Sequence, residues 1–161
     1  MRVHIATDHA AFDLKQYLVK ELTALGHDVV DHGAPVYDAS DDYPTFVLPA
    51  AEAVAAEPVS LGIVLGGSGN GEQIAANKVK GIRAGLAYNT VMARLTREHN
   101  DANVLSLGGR MQPQEEALEM AKVFLATPFS GDARHQRRID MLSAYEAGQS
   151  GGAASGAEGS A

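Results

Sequence analysis

The sequence predicts an α/β protein: a three-layer α/β/α sandwich built on a five-stranded parallel, Rossmann-like sheet. Apolar runs of strand length occur five times in the 161 residues. A turn signal and then apolar residues at helical spacing follow these runs. Strands that alternate with helices form a parallel sheet covered by helices on both faces, with right-handed crossovers.

The strands are predicted from five runs, RVHIA, HDVVD, LGIVLG, IRAGLA and NVLSLG, at residues 2–6, 27–31, 61–66, 82–87 and 103–108. The first helix is predicted over residues 12–25, because its apolar residues recur at helical spacing and Gly26 follows as a C-cap. The same pattern predicts helices over residues 44–56, 72–79, 90–98 and 114–126. A last amphipathic helix is predicted over residues 130–147, after Pro128.

Composition predicts one domain, residues 1–147, because 45% of the residues are hydrophobic and 20% are charged. Residues 148–161 contain no core-forming side chain and are predicted to be a disordered glycine, alanine and serine tail. The chain has no cysteine, which excludes disulfides, thiolate metal ligands and a cysteine nucleophile.

The charge balance predicts which partners the chain avoids. A formal charge of -7 opposes binding to nucleic acid and to anionic membranes. The N-terminus does not read as a signal peptide, and no apolar run approaches membrane-spanning length. We therefore expect a cytoplasmic protein whose partner is a small molecule.

Ligands of open parallel sheets bind beyond the carboxyl ends of the strands. The loops expected to carry function therefore cover residues 7–11, 31–43, 66–71, 88–89 and 108–111. The most informative of them lies in VLGGSGNGEQIAANK, residues 64–78. Its four glycines let backbone N–H groups converge on an oxyanion at a helix N-terminus.

The charged residue of that loop is Glu72, which argues against nucleotide binding. It stands where the dinucleotide fingerprint needs its third glycine, and no P-loop lysine and serine or threonine follow Gly71. A glutamate beside N–H donors can remove a proton next to a carbonyl while the donors stabilise the enediolate oxygen. On this stretch alone, the slightly favoured alternative is a surface glutamate that complements the helix dipole.

The other polar candidates each have a structural alternative. Asp8 and His9 follow the first strand. A structural role, in which Asp8 caps the next helix and His9 is a solvated loop residue, is as well supported there as a catalytic role. His99 and Asn100 are ordinary residues for a helix C-terminus. No histidines stand at an H-x-x-x-H spacing, so no metal site and no cofactor is predicted.

An anion clamp is predicted on the last helix. Arg134 and Arg138 are four residues apart and share one helical face, and Arg110 could join them from its loop. The alternative is a solvated or salt-bridged helix face. A small phosphate suits this cluster better than nucleic acid, because the cluster lacks interleaved aromatic residues.

With these segments assembled, the sequence resembles the ribose-5-phosphate isomerase type B family, which also contains galactose-6-phosphate and allose-6-phosphate isomerases. The matching segments are ATDHAAFDLK, DDYP, GGSGNGEQIAANK, REHNDANVLSLGGR and RHQRRIDML, which together span nearly everything except the tail. The resemblance implies a five-stranded parallel sheet and metal-free interconversion of ribose 5-phosphate and ribulose 5-phosphate through a cis-enediol. A hexose-6-phosphate isomerase and a non-catalytic sugar-phosphate binder are the alternatives.

The resemblance also implies roles for individual residues. Asp8 and His99 would open the sugar ring, while Ser68 and the amides of the loop would form the oxyanion site. That loop runs through Gly67, Ser68, Gly69, Asn70 and Gly71. The implied phosphate ligands are His9, Arg110, Arg134 and Arg138. Asn100 would steady substrate oxygens and Tyr43 would line the pocket.

One departure from the family pattern concerns the base. Many members of the family carry a cysteine base two residues before the serine or threonine of this loop, where this chain has Gly66. The sequence is similar instead to the actinobacterial-type branch, which has glutamate at the position of Glu72. The resemblance further implies a homodimer, or a dimer of such dimers, whose subunits share residues at each active site.

Overall fold

A computed structural model describes residues 1–148 and confirms the predicted α/β architecture. The strands are β1 (Arg2–Thr7), β2 (Asp28–Asp31), β3 (Leu61–Gly66), β4 (Ala84–Leu86) and β5 (Val104–Gly108). All of them pair in parallel, in the order β2-β1-β3-β5-β4. Residues 149–161, nearly all of the predicted tail, lie outside the described part, and the domain boundary at residue 147 stays a prediction.

Six α-helices connect and cover the strands. They are α1 (Phe12–Ala24), α2 (Pro44–Ala56), α3 (Asn70–Ala76), α4 (Thr90–Asn100), α5 (Gln114–Ala126) and α6 (Ala133–Glu146), with a short 3-10 turn at His9–Ala11 before α1. Over residues 1–148, no helix has the length and apolar character needed to cross a membrane.

Several element boundaries differ from the sequence prediction by one to three residues, and three of these differences have an identifiable cause. Helix α3 begins at Asn70 instead of residue 72, because Gly69 adopts a left-handed conformation with φ 82° and ends the loop earlier. Helix α6 begins at Ala133 instead of residue 130, because the Asp132 side chain caps it by accepting from the N–H of Arg134. Strand β4 begins two residues late, because the N–H of Arg83 donates to the Asn103 side chain at 2.8 Å.

Two apolar layers hold the helices on the sheet. On one face, Leu18 and Leu22 of α1 and Phe124 of α5 pack against alternate strand residues such as Ile63 and Leu105. On the other face, helices α2 and α3 contribute a second cluster that contains Val47, Val54 and Ala76, packed with Val64 and Val104. Because side chains alternate along a strand, the central strands β3 and β5 contribute to both layers. Helix α6 packs mainly on α4, outside these layers.

The sheet has a topological switch point beside β1. The chain passes from β1 to β2 on one side, and the later strands lie on the other side of β1. Register pairs Thr7 with Leu65 and Gly66 with Gly108, so the loops that follow β1, β3 and β5 begin at the same edge. A crevice between loops at such a point is where doubly wound sheets bind ligands.

An ion pair between a buried lysine and a partly exposed aspartate anchors the loop that follows β2. Lys15 of α1 is completely buried, and its Nζ donates to both carboxylate oxygens of Asp31, at 2.9 and 2.7 Å, and to the carbonyl of Ala34 at 2.7 Å. Asp31 also accepts from the N–H of Gly33 at 2.9 Å. The loop that begins there reaches the cavity described below.

We predict that Lys15→Met destabilises the protein by about 3 kcal/mol, because it removes the partner of Asp31. This value is at the low end of the range for breaking a buried ion pair, because Asp31 keeps some contact with water. Denaturant unfolding would measure the change. Lys20→Met is the matched control, because the Lys20 side chain is 82% exposed and pairs only loosely with Glu21, at 3.7 Å. Equal effects of the two substitutions would contradict a structural role for the buried pair.

Candidate active site

An open cavity of about 520 Å³ lies at the carboxyl ends of β1, β3 and β5. The loops that follow β1, β2, β3 and β5 and the first turn of α3 line it, as the switch point predicts. Its lining residues are Asp8, His9, Ala10, Tyr43, Gly67, Ser68, Gly71, Glu72, Arg110 and Met111. Eight of these ten were singled out from the sequence, and the exceptions are Ala10 and Met111.

The glycine loop is held in place by the turn after β5. The N–H of Gly109 donates to the carbonyl of Gly66 at 2.7 Å, and the N–H of Arg110 donates to the carbonyl of Gly67 at 3.1 Å. The hydroxyl of Ser106 donates to the carbonyl of Gly69 at 2.7 Å. Because the carbonyls are engaged on this side, the N–H groups of the loop remain available to a ligand.

Three of those N–H groups belong to the cavity-lining residues Gly67, Ser68 and Gly71. Within residues 1–148 they have no hydrogen-bond acceptor. A Cβ on residue 71 would come within 2.8 Å of the Tyr43 ring, so only glycine lets Tyr43 pack against the backbone there. The loop therefore presents unpaired donors at the start of α3, an arrangement that suits an anion.

Gly69 and Asn70 lie in the same loop but do not line the cavity. Gly69 is buried and makes the left-handed turn, where a Cβ would meet the backbone of Leu107 at 2.9 Å. The Asn70 side chain donates to the hydroxyl of Ser68 at 3.2 Å. These two predicted site residues therefore shape the loop in this structure.

Glu72 is buried, with 4% of its surface exposed, and its carboxylate lies directly over the backbone of Gly66. A Cβ on residue 66 would overlap that carboxylate. Burial is the main cause that raises the pKa of Glu72, the nearby charge of Asp8 adds to it, and backbone N–H groups at Glu72 and Gly69 act in the opposite direction. A surface glutamate that complements the helix dipole would have neither this burial nor this shift, so that alternative does not describe Glu72.

Asp8 caps the 3-10 turn that follows β1, which is the structural role predicted from the sequence. One carboxylate oxygen accepts from the N–H of Ala10 at 2.9 Å at the start of the 3-10 turn. The residue is nevertheless 7% exposed and lines the cavity close enough to Glu72 to affect its pKa. Capping and a role in the cavity are therefore compatible.

His9 is held by an aspartate that the sequence analysis did not single out. Asp41 accepts from the backbone N–H of His9 at 2.9 Å, and the same oxygen lies 2.7 Å from His9 Nδ1. The side-chain hydrogen bond to Asp41 is the main cause that raises the pKa of His9. The signal was present, because Asp41 opens the DDYP segment at the end of a loop predicted to face the ligand.

Asp8, His9 and Asp41 could in principle share a metal ion, because their ligand atoms lie within 4.8 Å of one another. Hydrogen bonds account for this proximity. The Asp8 oxygen caps the 3-10 turn, and the Asp41 oxygen accepts from two N–H groups of His9. We assign no metal to these side chains.

Arg110 supplies the cavity with a second cationic group besides His9. Its side chain lies near the glycine loop, where a Cβ on residue 67 would be 3.5 Å from Nη1. Within residues 1–148, Arg110 forms no salt bridge. The cavity thus combines two acids, Asp8 and Glu72, with two groups that can bind a phosphate.

The remaining predicted residues lie at the opposite edge of the sheet. Helix α4 starts at the carboxyl edge and runs back for eleven residues, about 16 Å, to Asn100. There the carbonyl of Asn100 accepts from Arg83, which directly precedes β4, at 2.9 Å. His99, Asn100, Arg134 and Arg138 are therefore not brought to the Glu72 cavity within one chain.

These four residues belong to the paired helices α4 and α6. The ring of His99 packs on that of His135, with centroids 4.3 Å apart. The N–H of Ser130 donates to the carbonyl of Glu98 at 3.0 Å and joins the start of α6 to the end of α4. The Arg134 side chain is 60% exposed, 3.4 Å from Asp132. One chain therefore carries two separate groups of predicted site residues.

The family described as Ribose/Galactose Isomerase matches residues 3–142 of this chain. The ribose-5-phosphate isomerase B of Mycolicibacterium paratuberculosis is 55% identical over 146 residues, which cover 91% of this chain and 92% of that protein. The ribose-5-phosphate isomerase B of Mycobacterium tuberculosis is 54% identical over 91% of this chain and 90% of that protein.

Solved structures agree with this similarity. Ribose-5-phosphate isomerase B of Clostridium thermocellum matches with a TM-score of 0.88 and 41% identity, over 93% of this chain and 100% of that one. Ribose-5-phosphate isomerase B of Mycoplasma genitalium with bound ribulose-5-phosphate also matches with a TM-score of 0.88, at 40% identity, over 91% and 96% of the two chains.

We predict that Glu72→Gln makes the protein more stable at neutral pH. Because the pKa of Glu72 is raised in the folded state, the wild type loses stability as pH rises from the ordinary value, 4.5, through the folded pKa, and the variant does not. Each 1 kcal/mol gained would raise Tm by about 2–4 °C in a chain of this size. Thermal unfolding across this pH range would measure the gain.

Glu116→Gln is the matched control, because Glu116 is an exposed acid in the first turn of α5. There the substitution removes only a favourable interaction with the helix dipole and should lower Tm slightly at neutral pH. A loss of stability in Glu72→Gln as well would contradict the burial argument.

Proposed function

The chain belongs to the ribose/galactose isomerase family, and we propose that it interconverts ribose 5-phosphate and ribulose 5-phosphate through a cis-enediolate. The observation that carries the proposal is the buried carboxylate of Glu72 beside the unpaired N–H groups of the glycine loop. The relatives at 52–55% identity that are named ribose-5-phosphate isomerase B support the choice of substrate. A solved relative with bound ribulose-5-phosphate supports it further.

The proposed chemistry needs one base and one oxyanion site. The Glu72 carboxylate removes the proton from C2 of the open-chain aldose, and the C–H electron pair forms the C1–C2 double bond of the enediolate. The N–H groups of Gly67, Ser68 and Gly71 stabilise the negative charge on O1. Glu72 then returns its proton to C1, while the O2 proton moves to O1, which yields the ketose.

The raised pKa of Glu72 suits this task. A base with its pKa closer to the working pH transfers a proton in both directions more readily than an ordinary carboxylate. Its position over Gly66, in the loop that carries the proposed N–H donors, supports this role. No step of this scheme requires a metal ion, so we propose that the reaction is metal-independent.

The other groups in the cavity fit the roles that the family resemblance implies. Asp8 would take part in ring opening, and Tyr43 would line the wall above Gly71. His9 and Arg110 would hold the phosphate at the cationic side of the cavity. The proposed partners of these groups, His99, Asn100, Arg134 and Arg138, must then come from a second copy of the chain.

A homodimer with shared sites would join the two groups of residues. Large apolar side chains exposed on α4 and α6 support such an interface: Val91, Met92, Met141, Leu142 and Tyr145. In the dimer, α4 and α6 of one subunit would approach the Glu72 cavity of the other. Assembly into a dimer of dimers and a cytoplasmic location stay predictions.

A hexose phosphate is the second candidate substrate, because the family description includes galactose isomerases. One additional carbon changes the binding free energy by only about 1–3 kcal/mol, so the same pocket could accept both sizes. A non-catalytic binding protein would have no need for a buried base with a raised pKa. Direct assay with each sugar phosphate ranks the substrates.

The first test incubates chelator-treated protein with ribose 5-phosphate in deuterated water and follows the reaction by NMR. We expect ribulose 5-phosphate that carries solvent deuterium, because the proton on Glu72 exchanges with solvent before it returns. Glu72→Gln should reduce kcat by about 10²–10⁴-fold, the usual contribution of a general base, with KM near the wild-type value.

Two outcomes would contradict parts of the proposal separately. Full turnover in Glu72→Gln would refute the assignment of the base. Neither product nor deuterium exchange in folded, dimeric wild-type protein would refute the pentose substrate. Allose 6-phosphate is then the next compound to assay.

The second test asks whether two subunits share one site. We expect Glu72→Gln and His99→Ala to be nearly inactive towards ribose 5-phosphate by themselves and to regain activity when they are mixed and allowed to exchange subunits. A mixed dimer contains one site with both Glu72 and His99 intact, so random exchange should restore about a quarter of the wild-type activity. An absence of recovery, with subunit exchange demonstrated, would mean that each site lies within one chain.

A further inference from the structure

Asp41 contacts His9 at two points through a single oxygen atom. Its Oδ1 accepts from the backbone N–H of His9 at 2.9 Å and lies 2.7 Å from the ring nitrogen Nδ1. The Asp41 side chain is 10% exposed, and within residues 1–148 its Oδ2 has no hydrogen-bond partner. No lysine or arginine of the described part pairs with Asp41, so His9 is the group that compensates its charge.

This contact determines which nitrogen of His9 carries a proton. An ionised carboxylate only accepts hydrogen bonds, so Nδ1 must be the donor. The other nitrogen, Nε2, has no partner within residues 1–148, and His9 lines the cavity beside Arg110. When the ring is neutral, Nε2 is an acceptor, and it becomes a donor only when the ring is protonated.

A hydrogen bond from His9 Nε2 to a phosphate therefore needs the protonated ring. The oxygens of a phosphate dianion only accept hydrogen bonds, as does Nε2 of the neutral ring. The imidazolium donates from Nε2 and adds a favourable charge. Affinity for phosphate should thus follow the protonation of His9, which Asp41 controls.

Several groups around His9 act on its charge. The hydrogen bond to Asp41 is the largest influence and raises the pKa of His9, and the charges of Asp8 and Asp41 raise it further. Partial burial and the charge of Arg110 lower it. The charged His9 also helps to lower the pKa of Asp38, which lies in the same loop as Asp41. The ring of Tyr37 packs edge-on against the His9 ring, with centroids 6.4 Å apart.

We propose that Asp41 is a positioning residue for phosphate recognition, which holds His9 with a proton on Nδ1 and presents Nε2–H to the phosphate of the substrate. The inference rests on the proposed function, because it takes the ligand to be a sugar phosphate. Asp41 itself does not contact the reacting carbons. It acts on substrate binding through His9.

The kinetic test is Asp41→Asn, measured with ribose 5-phosphate across the pH range. KM should increase about tenfold or more at neutral pH, the size of a lost hydrogen bond to a charged group, while kcat stays near the wild-type value. KM is low while His9 is protonated and increases above its pKa, so the increase should begin at a lower pH in the variant. The titration of the substrate phosphate is common to both proteins and does not affect this comparison.

Asp42→Asn is the matched control, because it removes the same charge from the next residue, which is exposed. It should leave the pH dependence of KM unchanged. An Asp41→Asn variant that loses kcat but keeps the wild-type pH dependence of KM would overturn the positioning role. So would an equal shift in both variants, because it would reflect general loop charge.

A second measurement does not depend on turnover. In protein labelled with ¹⁵N-histidine, the His9 signals, assigned with His9→Gln, should show Nδ1 protonated at high pH and a pKa above the ordinary 6.5. Asp41→Asn should lower that pKa and weaken the binding of inorganic phosphate. An unchanged His9 pKa would overturn the inference even if the wild type isomerises ribose 5-phosphate, whereas an inactive wild type with the expected titration would count against the proposed function alone.

Discussion

Parallel pairing of β1, β3 and β5 is the constraint on which the rest of the site depends. Parallel strands run in the same direction, so their carboxyl ends lie at the same edge of the sheet. The residues after Thr7, Gly66 and Gly108 therefore emerge at one edge although they are far apart in sequence. The hydrogen bonds from Gly109 and Arg110 to the glycine loop extend this pairing beyond the strands. A shift in this register would separate the Glu72 carboxylate, the N–H donors and the cationic side chains from one another.

Burial of the Glu72 carboxylate raises its pKa and also lowers the stability of the folded protein at neutral pH. The Glu72 carboxylate sits against Gly66 in a place that disfavours its ionised form, and Asp8 adds a second negative charge nearby. On the other side of the cavity, Arg110 and His9 provide cationic groups. A phosphate ester in the cavity would place negative charge next to Arg110 and His9, whose positive charges are only partly compensated in the free chain.

The strand and helix pattern was sufficient to predict the fold and the edge of the sheet where the cavity lies. The glycine loop, Asp8, His9, Tyr43 and Arg110 were also recognisable, because each follows a strand or carries a family motif. The burial of Glu72 could not be predicted, since a first-turn glutamate is more often exposed. The contact between Asp41 and His9 depends on how a long loop folds back, and the placement of His99 follows from the direction of α4 in three dimensions.

The overlap between the Glu72 carboxylate and the space above Gly66 has an evolutionary consequence. The family resemblance implies a cysteine at position 66 in many members, and a side chain there would occupy the volume of the Glu72 carboxylate. A chain that acquired a side chain at position 66 while keeping Glu72 would be crowded, and one that lost Glu72 first would lack the proposed base. Under the proposed function, each of these two substitutions is unfavourable alone and acceptable only with the other, a relation called sign epistasis.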